Sequence, residues 1–479
     1  MATPRLTLLG DDDLRRLHQA TLEVLERTGA RYASRKALAV LREAGAAVDD
    51  ETMIARLPRG LVEEAVARAP RRVLLAARDG ARDVTLDGSR TWLTLDGTGA
   101  AVLDHRTGER RPSSATDVAD ATRVADALDE VGFVWPAVSD VEAAPATEVL
   151  DTLALLLANT GKHVQPEVQR QEEVPYVVDL LAAAADDGRW DPQRPIFSVV
   201  YCPVSPLQHE HEMLDACLAL AGLKVPICVY SLALCGATAP ATLAGGVVQT
   251  NAELLSAVVL FELAQPGLPV IYTADCGVLD MRSGVYACAG PEAALLNVAL
   301  TELGHFYGLP VMATGLTSDA KEYSVVAGFE GGGSALASLL AGPDALCGAG
   351  LLDAAQMLYL PKLVMDAEVV RQGDCLRRGL TIDDEHLAVD LIGRVGPGGQ
   401  YLAARETRRA LRGGELYRPQ LYERLGYDAW RELGRSDVER ACERVEDLLA
   451  THRPKPLPAG AEERFAEILA AAGRELAGR

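Results

Sequence analysis

The 236–330 segment decides the fold; it opens with GATAPATLAGGVVQTNAE and closes with GLTSDAKEYSVVAGFE. Its pattern predicts a loop, a long uncharged helix, the strand VIY, a long glycine-rich loop, a second helix, a strand and a polar loop. Between residues 225 and 274 only Glu253 and Glu262 are charged. A segment so poor in charge must be covered on nearly all sides, so we expect it to form the buried middle of a large domain.

Seven short apolar stretches predict strands of a parallel sheet, because they lack polar alternation and each precedes a helical pattern. With one more strand from residues 91–104 they make eight βα units. Eight units favour an α/β fold of the closed TIM (β/α)8 barrel type over an open doubly wound sheet. The seven stretches are Phe133–Val138, His163–Pro166, Ile196–Cys202, Ile227–Tyr230, Pro269–Tyr272, Pro310–Thr314 and Ala345–Cys347.

Two smaller regions flank the predicted barrel. Residues 1–90 contain three helix patterns and the start of an alternating, strand-rich stretch. Residues 396–479 begin polar and basic and continue with two amphipathic helices around the proline-rich linker THRPKPLPAG. We therefore expect an N-terminal helical and strand extension, a barrel over residues 91–395 and a C-terminal helical tail.

The composition excludes several classes of partner. The 479 residues carry a net charge of −21, which argues against nucleic acid and anionic membrane surfaces. The N-terminal sequence MATPRLTLLGDDD lacks the apolar segment of a secretory signal. The nine cysteines form no C-x-x-C pair, which argues against a disulfide framework or a zinc knuckle. We expect a cytoplasmic protein with reduced thiols and no bound metal.

In a barrel of this type the functional residues lie at the carboxyl ends of the strands. Two loops there, Thr273–Gly290 and Gly315–Tyr323, are long, and long loops in compact domains are usually functional. Asp319 and Lys321 fit a base and its partner, an imine-forming lysine, or a salt-bridged loop hinge. Other strand ends carry Asp96 and Thr98, Tyr201–Ser205, Gly236–Thr238 and Gly348–Asp353.

Aromatic residues are scarce, at 5% of the chain, yet several fall at or just beyond the predicted strand ends. Rings around a cavity with few carboxylates suit a quaternary or protonated amine, through cation–π attraction and apolar contact. Ordinary packing at the barrel mouth explains such rings equally well. The rings belong to Tyr201, Tyr230, Tyr272, Tyr286, Tyr323 and Phe329.

The HEHE sequence at residues 209–212 suggests a metal site at first sight. On a helix, residues two apart point to different faces, so His209 and His211 cannot easily share one ion. We expect a solvated first helical turn here instead.

Three segments together resemble the trimethylamine:corrinoid methyltransferase family. They are the two 236–330 termini quoted above and PGLPVIYTADCGVLDMRSGVYACAGPEAALLNVALTELGHFYGLP at residues 266–310. The resemblance extends over most of the chain. It implies a TIM barrel whose mouth receives a separate protein carrying a corrinoid (cobalamin), and a methyl group moving from a methylated amine to Co(I).

Trimethylamine enzymes of this family carry an in-frame pyrrolysine, whereas this chain contains only the twenty standard residues. It therefore resembles the branch without pyrrolysine, whose members demethylate quaternary amines such as glycine betaine. Attack on a quaternary ammonium expels a neutral tertiary amine and needs no general acid. Position, exclusion of water and a charge-poor aromatic pocket are then the main requirements.

The resemblance and the strand-end positions together predict a set of site residues. We expect Asp319, Lys321 and Glu330 to be catalytic. The predicted substrate contacts are Tyr201, Thr238, Gln249, Tyr272, Tyr286 and Phe329, and Lys321, Thr238 and Gln249 also suit a betaine carboxylate. The predicted corrinoid contacts are Gly97, Gly348 and Gly350.

One position departs from the family pattern. Relatives often carry His before Thr in the tail, where this chain has Glu406-Thr407. A quaternary-amine methyltransferase, a non-catalytic or regulatory amine-binding paralogue, and a barrel lyase or aldolase using Lys321 are therefore the competing hypotheses.

The helices predicted at Pro240–Leu263 and Pro291–Tyr307 carry almost no charge on any face. An outer barrel helix should present a polar face to water. Either the terminal extensions or another subunit must cover them, and we expect a homo-oligomer.

Overall fold

Eight parallel strands with inward and outward faces form the centre of the computed structural model, which describes residues 4–97 and 99–477. Each strand is short, and all of the strand residues are buried except the half-buried Trp92. In chain order they are β1 Trp92–Leu93, β2 Phe133–Val134, β3 His163–Val164, β4 Val199–Tyr201, β5 Ile227–Val229, β6 Val270–Ala274, β7 Val311–Thr314 and β8 Ala345–Cys347.

The strands close into a barrel. Six of them form one parallel sheet in the order β4-β5-β6-β7-β8-β1, and β2 pairs with β3 in parallel. Two parallel bridges, Leu93 with Val131 and Val164 with Phe197, join the two sheets on either side. The predicted TIM (β/α)8 barrel is thus confirmed, although several strands are shorter than predicted.

One helix follows each strand and packs on the outside of the barrel. This regular succession of strand and helix confirms the alternating βα pattern predicted from the sequence. In chain order the helices are Ala115–Ala127, Glu148–Asn159, Val174–Ala184, His211–Gly222, Leu243–Ala264, Pro291–Tyr307, Val325–Ala341 and Leu360–Arg378.

Alternation along the strands separates two cores. In β5, Ile227 and Val229 pack outward against the helices, whereas Cys228 points into the lumen. The same period of two holds in β6, where Ile271 points inward and Tyr272 outward. A shift of one residue therefore moves a side chain from the lumen to the helix layer.

The N-terminal extension covers the amino end and one flank of the barrel. The hairpin Val73–Leu75 with Val84–Leu86 contributes its apolar side chains to the lumen core. The helices Asp11–Arg27 and Arg59–Arg68 pack on Leu243–Ala264, so the extension covers this uncharged helix. The other elements are the helix Arg35–Glu43, the strands Ala30–Tyr32, Ala47–Asp49 and Ile54–Arg56, and a 3-10 turn at Gly80–Arg82.

The strand-end loops add small sheets above the barrel, and the tail adds helices beside it. A 3-10 turn, Gln171–Glu173, precedes the third barrel helix. The loop strands are Ala101–Leu103, Arg110–Pro112, Gln208–His209, Ala233–Cys235, Cys276–Asp280, Val285–Ala287, Leu351–Leu352 and Met357–Leu358. The tail helices are Asp384–Leu387, Val389–Val395, Arg405–Arg412, Tyr427–Leu433, Asp437–Thr451 and Ala461–Leu476.

The helix Leu243–Ala264 is long and apolar enough to cross a bilayer by length and composition. It is the single such helix within the described ranges, and most of it is buried among other elements of the fold. A buried core helix accounts for it.

Candidate active site

Acidic and aromatic side chains meet at the carboxyl end of the barrel lumen. Asp96 lies beyond β1, Glu167 beyond β3, Tyr230 directly after β5 and Asp275 directly after β6. Each stands an even number of residues from an inward-pointing residue of its strand, so the pleat directs it to the lumen. Asp96 and Asp275 are buried, with 5% and 3% of their surface exposed.

Hydrogen bonds and ring contacts link these side chains. The Tyr230 hydroxyl donates to Asp275 Oδ2 over 2.5 Å. Trp135 Nε1, from β2's inward side, donates to Glu167 Oε1 over 3.2 Å. The Trp135 and Tyr230 rings meet edge to face with centroids 5.1 Å apart. Glu167, Trp135, Tyr230 and Asp275 therefore form one continuous wall, which we call the lumen cluster together with Asp96.

Burial controls the ionisation of the lumen cluster. Burial raises the pKa of Asp275 to about 6, against lowering by hydrogen bonds from Tyr230 and Thr314. Burial, followed by repulsion from Asp275 and Glu167, raises the pKa of Asp96 well above its usual range. The Glu167 pKa is also raised, chiefly by burial. No positively charged side chain of the described residues pairs with these carboxyl groups, so ionising all of them is costly. A bound cation would offset that cost.

A small sheet lies over the lumen cluster. The Thr273–Gly290 loop contains the hairpin Cys276–Asp280 with Val285–Ala287, which pairs in parallel with Ala233–Cys235 after β5. The Tyr286 ring lies on Gly277, where a Cβ atom would approach Tyr286 Cε2 to 2.3 Å. Burial and the nearby charges of Asp275 raise the Tyr286 pKa well above its usual range. The predicted substrate contact Tyr286 thus lies near enough to feel the charge of Asp275, and its ring packs against Cys288, Ala289 and Ala354.

The structure brings Asp319, Lys321 and Glu330 together as ties between loops. The Asp319 carboxylate accepts from the Cys288 backbone N–H at 3.0 Å and from its thiol at 3.1 Å. Glu330 Oε2 accepts from the Asp319 N–H at 3.0 Å. Lys321 Nζ is paired with Asp353 at 2.6 Å and 62% of its side chain is exposed. This arrangement matches the salt-bridged loop hinge among the alternatives raised by the sequence.

The predicted corrinoid contacts fall into two environments. Gly97, with φ 60°, has open space where a side chain would start, which leaves room for an approaching molecule. Gly348 has φ 107° and sits against Gly315 O, at 2.0 Å from a Cβ position, so it serves close loop packing. Gly350, with φ 83°, packs beside Leu363. Thr98 lies outside the described residues.

Tyr201 and Tyr272 do not join the lumen cluster. The Tyr201 hydroxyl is hydrogen-bonded to His209 Nδ1 over 2.8 Å. The Tyr272 hydroxyl donates to Asn251 Oδ1 over 2.9 Å. Both rings occupy the outward positions of their strands, in the layer between barrel and helices. Tyr201 is the direct neighbour of Cys202, and Tyr272 of Ile271. Cys202 and Ile271 point inward, and neighbouring residues of a strand point to opposite faces.

The expected solvated turn at 209–212 is wrong for its first histidine. His209 is buried, stacked on Tyr32 with ring centroids 4.3 Å apart and hydrogen-bonded to Ser256 Oγ. His211 begins the next helix and is exposed. Among residues 4–97 and 99–477 no group of three or more His, Cys, Asp or Glu is arranged to hold a metal ion.

Thr238 and Gln249 serve a buried carboxylate outside the lumen. Gln249 Nε2 donates to Glu253 Oε1 at 3.1 Å and to the Thr238 carbonyl. Glu253 also accepts from Ser205 Oγ and the Leu207 N–H. The amide of Gln249 therefore completes the shell of Glu253.

Phe329 lies on the rim of the barrel mouth. It belongs to the helix that follows β7, one turn from its start, and 81% of its surface is exposed. Val325 and Val326 of the same turn are 90% and 53% exposed. Together they form an exposed apolar patch, the rim patch, at the first turn of this helix.

Trp135 and Glu167 are not among the site residues predicted from the sequence, which places Asp275 only within the long Thr273–Gly290 loop. Three carboxyl groups lie at the mouth, where the sequence indicates few. The alternation was available as a signal, because Trp135 is two residues from Phe133 and Asp275 is two from Thr273. The sequence does not show which of the two alternating faces of each strand turns toward the lumen, so it could not select these residues.

Comparison with known proteins identifies related sequences along the whole chain. The family model described as Trimethylamine methyltransferase (MTTB) matches residues 1–477. A trimethylamine methyltransferase from Desulfitobacterium hafniense is 32% identical over 449 residues, covering 94% of this chain and 90% of the relative. One from Methanosarcina thermophila is also 32% identical, covering 95% of each chain. A glycine betaine methyltransferase from D. hafniense is 28% identical, covering 99% of this chain and 98% of the relative.

Among solved structures, the monomethylamine methyltransferase of Methanosarcina barkeri matches with a TM-score of 0.53. The match covers 99% of this chain and 88% of that chain at 13% identity. At this identity the similarity establishes the shared fold.

Proposed function

This chain belongs to the trimethylamine methyltransferase family and is a methyltransferase, and we propose that it moves a methyl group from a quaternary amine to the Co(I) centre of a corrinoid protein. The observation that carries the choice of donor is the lumen cluster. Carboxylates and aromatic faces at one buried point attract an organic cation through charge and ring quadrupoles together. The amine binds inside the barrel and the corrinoid approaches from the open side.

The residues of the cluster bind and orient the donor. Trp135, Tyr230 and Tyr286 present ring faces and edges to the methyl groups, and Asp275 supplies the charge. The corrinoid supplies a two-electron nucleophile for the methyl carbon. Because the departing amine is neutral, no residue has to donate a proton to it. The covering hairpin excludes water, which strengthens the electrostatic contacts below it.

The partial charge of the cluster suits a reaction that consumes a positive charge. A fully ionised set of three carboxylates would bind the cationic donor too strongly relative to the transition state. Burial raises the pKa of Asp275, and burial followed by repulsion from Asp275 and Glu167 raises the pKa of Asp96. Both shifts reduce the negative charge facing the donor. The pocket thereby holds the cation without excessive ground-state stabilisation.

The rim patch fits a protein that delivers the methyl acceptor. Val325, Val326 and Phe329 are exposed apolar residues on one helical turn at the open end of the barrel. Exposed apolar clusters of this type commonly mark protein interfaces. Gly97 leaves open space on the same end. We place the corrinoid protein against this side.

The lyase or aldolase alternative finds no support in the position of Lys321. An imine-forming lysine needs a desolvated amine in a pocket, whereas Lys321 is exposed and ion-paired. Glu406, the departure from the family pattern, pairs with Arg394 at 2.6 Å in the exposed tail. Retention of catalysis despite this change is therefore part of the proposal.

The test is methyl transfer by the purified chain with reduced cobalamin and a panel of quaternary amines, with and without a cognate corrinoid protein. Release of the demethylated amine together with formation of methylated corrinoid is the expected result. Tight amine binding without transfer from any donor would instead identify a regulatory paralogue.

We also propose a cytoplasmic homo-oligomer. Leu295 and Phe306 of the helix Pro291–Tyr307 stay exposed, and a cavity of about 840 Å³ lies between this helix and the first helix of the chain. All nine cysteines are free thiols, in keeping with a reducing compartment. Light scattering that returns a monomer would contradict the oligomer.

A further inference from the structure

The charges around the lumen cluster are of one sign. Asp96, Glu167 and Asp275 meet there, and in the described part of the chain none of them forms an ion pair with Lys, Arg or His. Their polar contacts are to Tyr230, Trp135 and neighbouring hydroxyl or backbone groups. A ligand that enters the lumen therefore meets carboxyl groups, hydroxyl groups and rings, and no fixed positive charge from the described residues.

The cationic side chains of the strand-end loops are either ion-paired with other residues or exposed on the surface. Lys321 is paired with Asp353 at 2.6 Å. Arg170 is paired with Glu173 at 2.9 Å and donates to the Ala146 carbonyl. Arg111 is bound by Asp104 and Asp117, and Arg106 by Glu446. Arg282 lies on the exposed turn of the covering hairpin, and Arg110 is exposed on a loop strand.

The neutral donors that suit a carboxylate are occupied as well. Gln249 donates both to Glu253 and to the Thr238 carbonyl. The Thr238 hydroxyl oxygen is held in the loop after β5, where it accepts from the Leu234 N–H at 3.0 Å. The Glu253 carboxylate lies next to them, so a second carboxylate placed there would be repelled.

These arrangements point to one class of donor, and we propose that the substrate is a quaternary ammonium ion without a carboxylate, of the tetramethylammonium or choline type. This proposal rests on the proposed function and narrows it away from betaines. A trimethylammonium head fills the aromatic and acidic pocket, and a neutral substituent such as a hydroxyl finds acceptors beside it. A carboxylate on the same molecule would face Asp275 or Glu167 without a countercharge.

The group transfer balances for such a donor. The carbon–nitrogen bond of one methyl group breaks and its electron pair stays on nitrogen. The methyl carbon forms its new bond with the electron pair of Co(I). Tetramethylammonium then yields trimethylamine, choline yields dimethylaminoethanol, and no proton or further reductant is required.

The proposal is tested by calorimetric binding to the full chain without any corrinoid. The ligands are tetramethylammonium and choline, compared with glycine betaine and carnitine under the same conditions. We expect the carboxylate-free ions to bind at least tenfold more tightly. Equal or tighter binding of either carboxylate-bearing ligand, or binding of none of the four, overturns the proposal. The comparison uses the unmodified protein, so it does not depend on the folding of a variant.

Two variants of equal charge change locate the discrimination. Asp275→Asn should reduce the ratio of choline to glycine betaine affinity by fivefold or more, since it removes the repulsion and the attraction together. Asp280→Asn removes a carboxylate from the exposed hairpin turn and should leave the ratio unchanged. A folded Asp275→Asn protein with an unchanged ratio contradicts the assignment to the lumen cluster.

The binding and transfer experiments fail independently. Preferential binding of choline without methyl transfer to any corrinoid would refute the proposed function and leave standing only the preference of the site for carboxylate-free ligands. Methyl transfer from glycine betaine in preference to choline would support the proposed function and refute this inference.

Discussion

The Tyr230 hydroxyl donates a 2.5 Å hydrogen bond to Asp275 Oδ2, joining the ends of two neighbouring barrel strands over the lumen. The pair combines a ring, a charge and a fixed geometry in one contact. Trp135 supports the ring from the side. Because all three are buried on inward positions, the pair is the part of the site most suited to hold an organic cation.

Removing one hydroxyl at two matched positions tests this assignment. We expect Tyr230→Phe to weaken quaternary-amine binding about three- to tenfold, because Asp275 loses its hydrogen-bond donor and the wall of the lumen cluster loses a hydroxyl group. Tyr201→Phe removes a buried hydroxyl that is hydrogen-bonded to His209 outside the lumen. It should lower the free energy of unfolding by about 1–2 kcal/mol and leave affinity unchanged. Calorimetric titration measures the affinity, and urea unfolding measures the free energy of unfolding. Equal losses of affinity in the two variants would contradict the assignment of Tyr230, and not Tyr201, to the site.

Cation affinity should fall as the pH decreases through about 6, the raised pKa of Asp275. The ionised form binds the cation, so the attraction is present above that pKa and lost below it. Groups that face Asp275 are Tyr230, Tyr286, Thr314 and Asp96. Titration of tetramethylammonium between pH 5 and 8 measures the effect.

The fold should respond to pH in the opposite sense at this residue. A carboxyl whose pKa is higher in the folded than in the unfolded state stabilises the fold as the pH falls from above 6 toward 4. For the affinity, Asp275→Asn should abolish the pH dependence between pH 5 and 8. If the pH dependence of affinity persists in this variant, another group is responsible for it.

Gly277→Ala should displace the Tyr286 ring. A Cβ atom at Gly277 would lie 2.3 Å from Tyr286 Cε2, so the ring must move away from the cluster. We expect weaker amine binding, by fivefold or more, with the fold retained. Gly332→Ala adds the same methyl group in a helix where nothing lies within 4 Å and should stabilise the fold by about 0.5–1 kcal/mol. Affinity unaffected by Gly277→Ala would show that Tyr286 makes no contact with the amine.

Asp319 and Lys321, two residues apart, each join one loop to another, and removing their charges should affect stability unequally. Asp319→Ala leaves the buried Cys288 N–H without its acceptor, and we expect a loss of roughly 2–4 kcal/mol in unfolding free energy. Lys321→Ala removes an exposed ion pair, worth about 0–1 kcal/mol, and should retain methyl transfer. Chemical unfolding and the transfer assay measure both. An inactive but stable Lys321→Ala protein would return Lys321 to the catalytic set.

The rim patch should affect the partner and not the amine. Phe329→Asp places a charge where the corrinoid protein is proposed to dock, so we expect KM for that protein to rise at least tenfold. Transfer to free cobalamin and the affinity for the amine should change less than twofold. The exposed position at 81% makes misfolding an unsuitable explanation. A loss of amine affinity would instead support the predicted substrate contact at Phe329.

Much of the architecture followed from local pattern. The short apolar strands, the intervening helices and the eightfold count are consequences of hydrophobic periodicity, which acts over a few residues. The low charge of residues 236–330 indicated burial, and Leu243–Ala264 is buried as expected. The resemblance of the quoted segments to a methyltransferase family agrees with the match over residues 1–477.

The candidate site was less accessible from sequence. Tyr201 and Tyr230 both stand at strand ends and are chemically identical, yet one faces the helices and the other the lumen. Lys321 and Asp319 are two residues apart, but their roles depend on Asp353 and Cys288 from other loops. Partners so distant along the chain leave no mark on local periodicity.

The sequence by itself determined that the chain forms a βα barrel and that its nearly uncharged 225–274 stretch is buried, because spacing and hydrophobicity specify elements locally. Only the tertiary structure decided that Asp96, Glu167 and Asp275 meet beneath Tyr286. A barrel sets which alternate face of each strand turns inward by closing the whole sheet at once. That closure, and the resulting burial, raises the pKa values of these carboxyl groups.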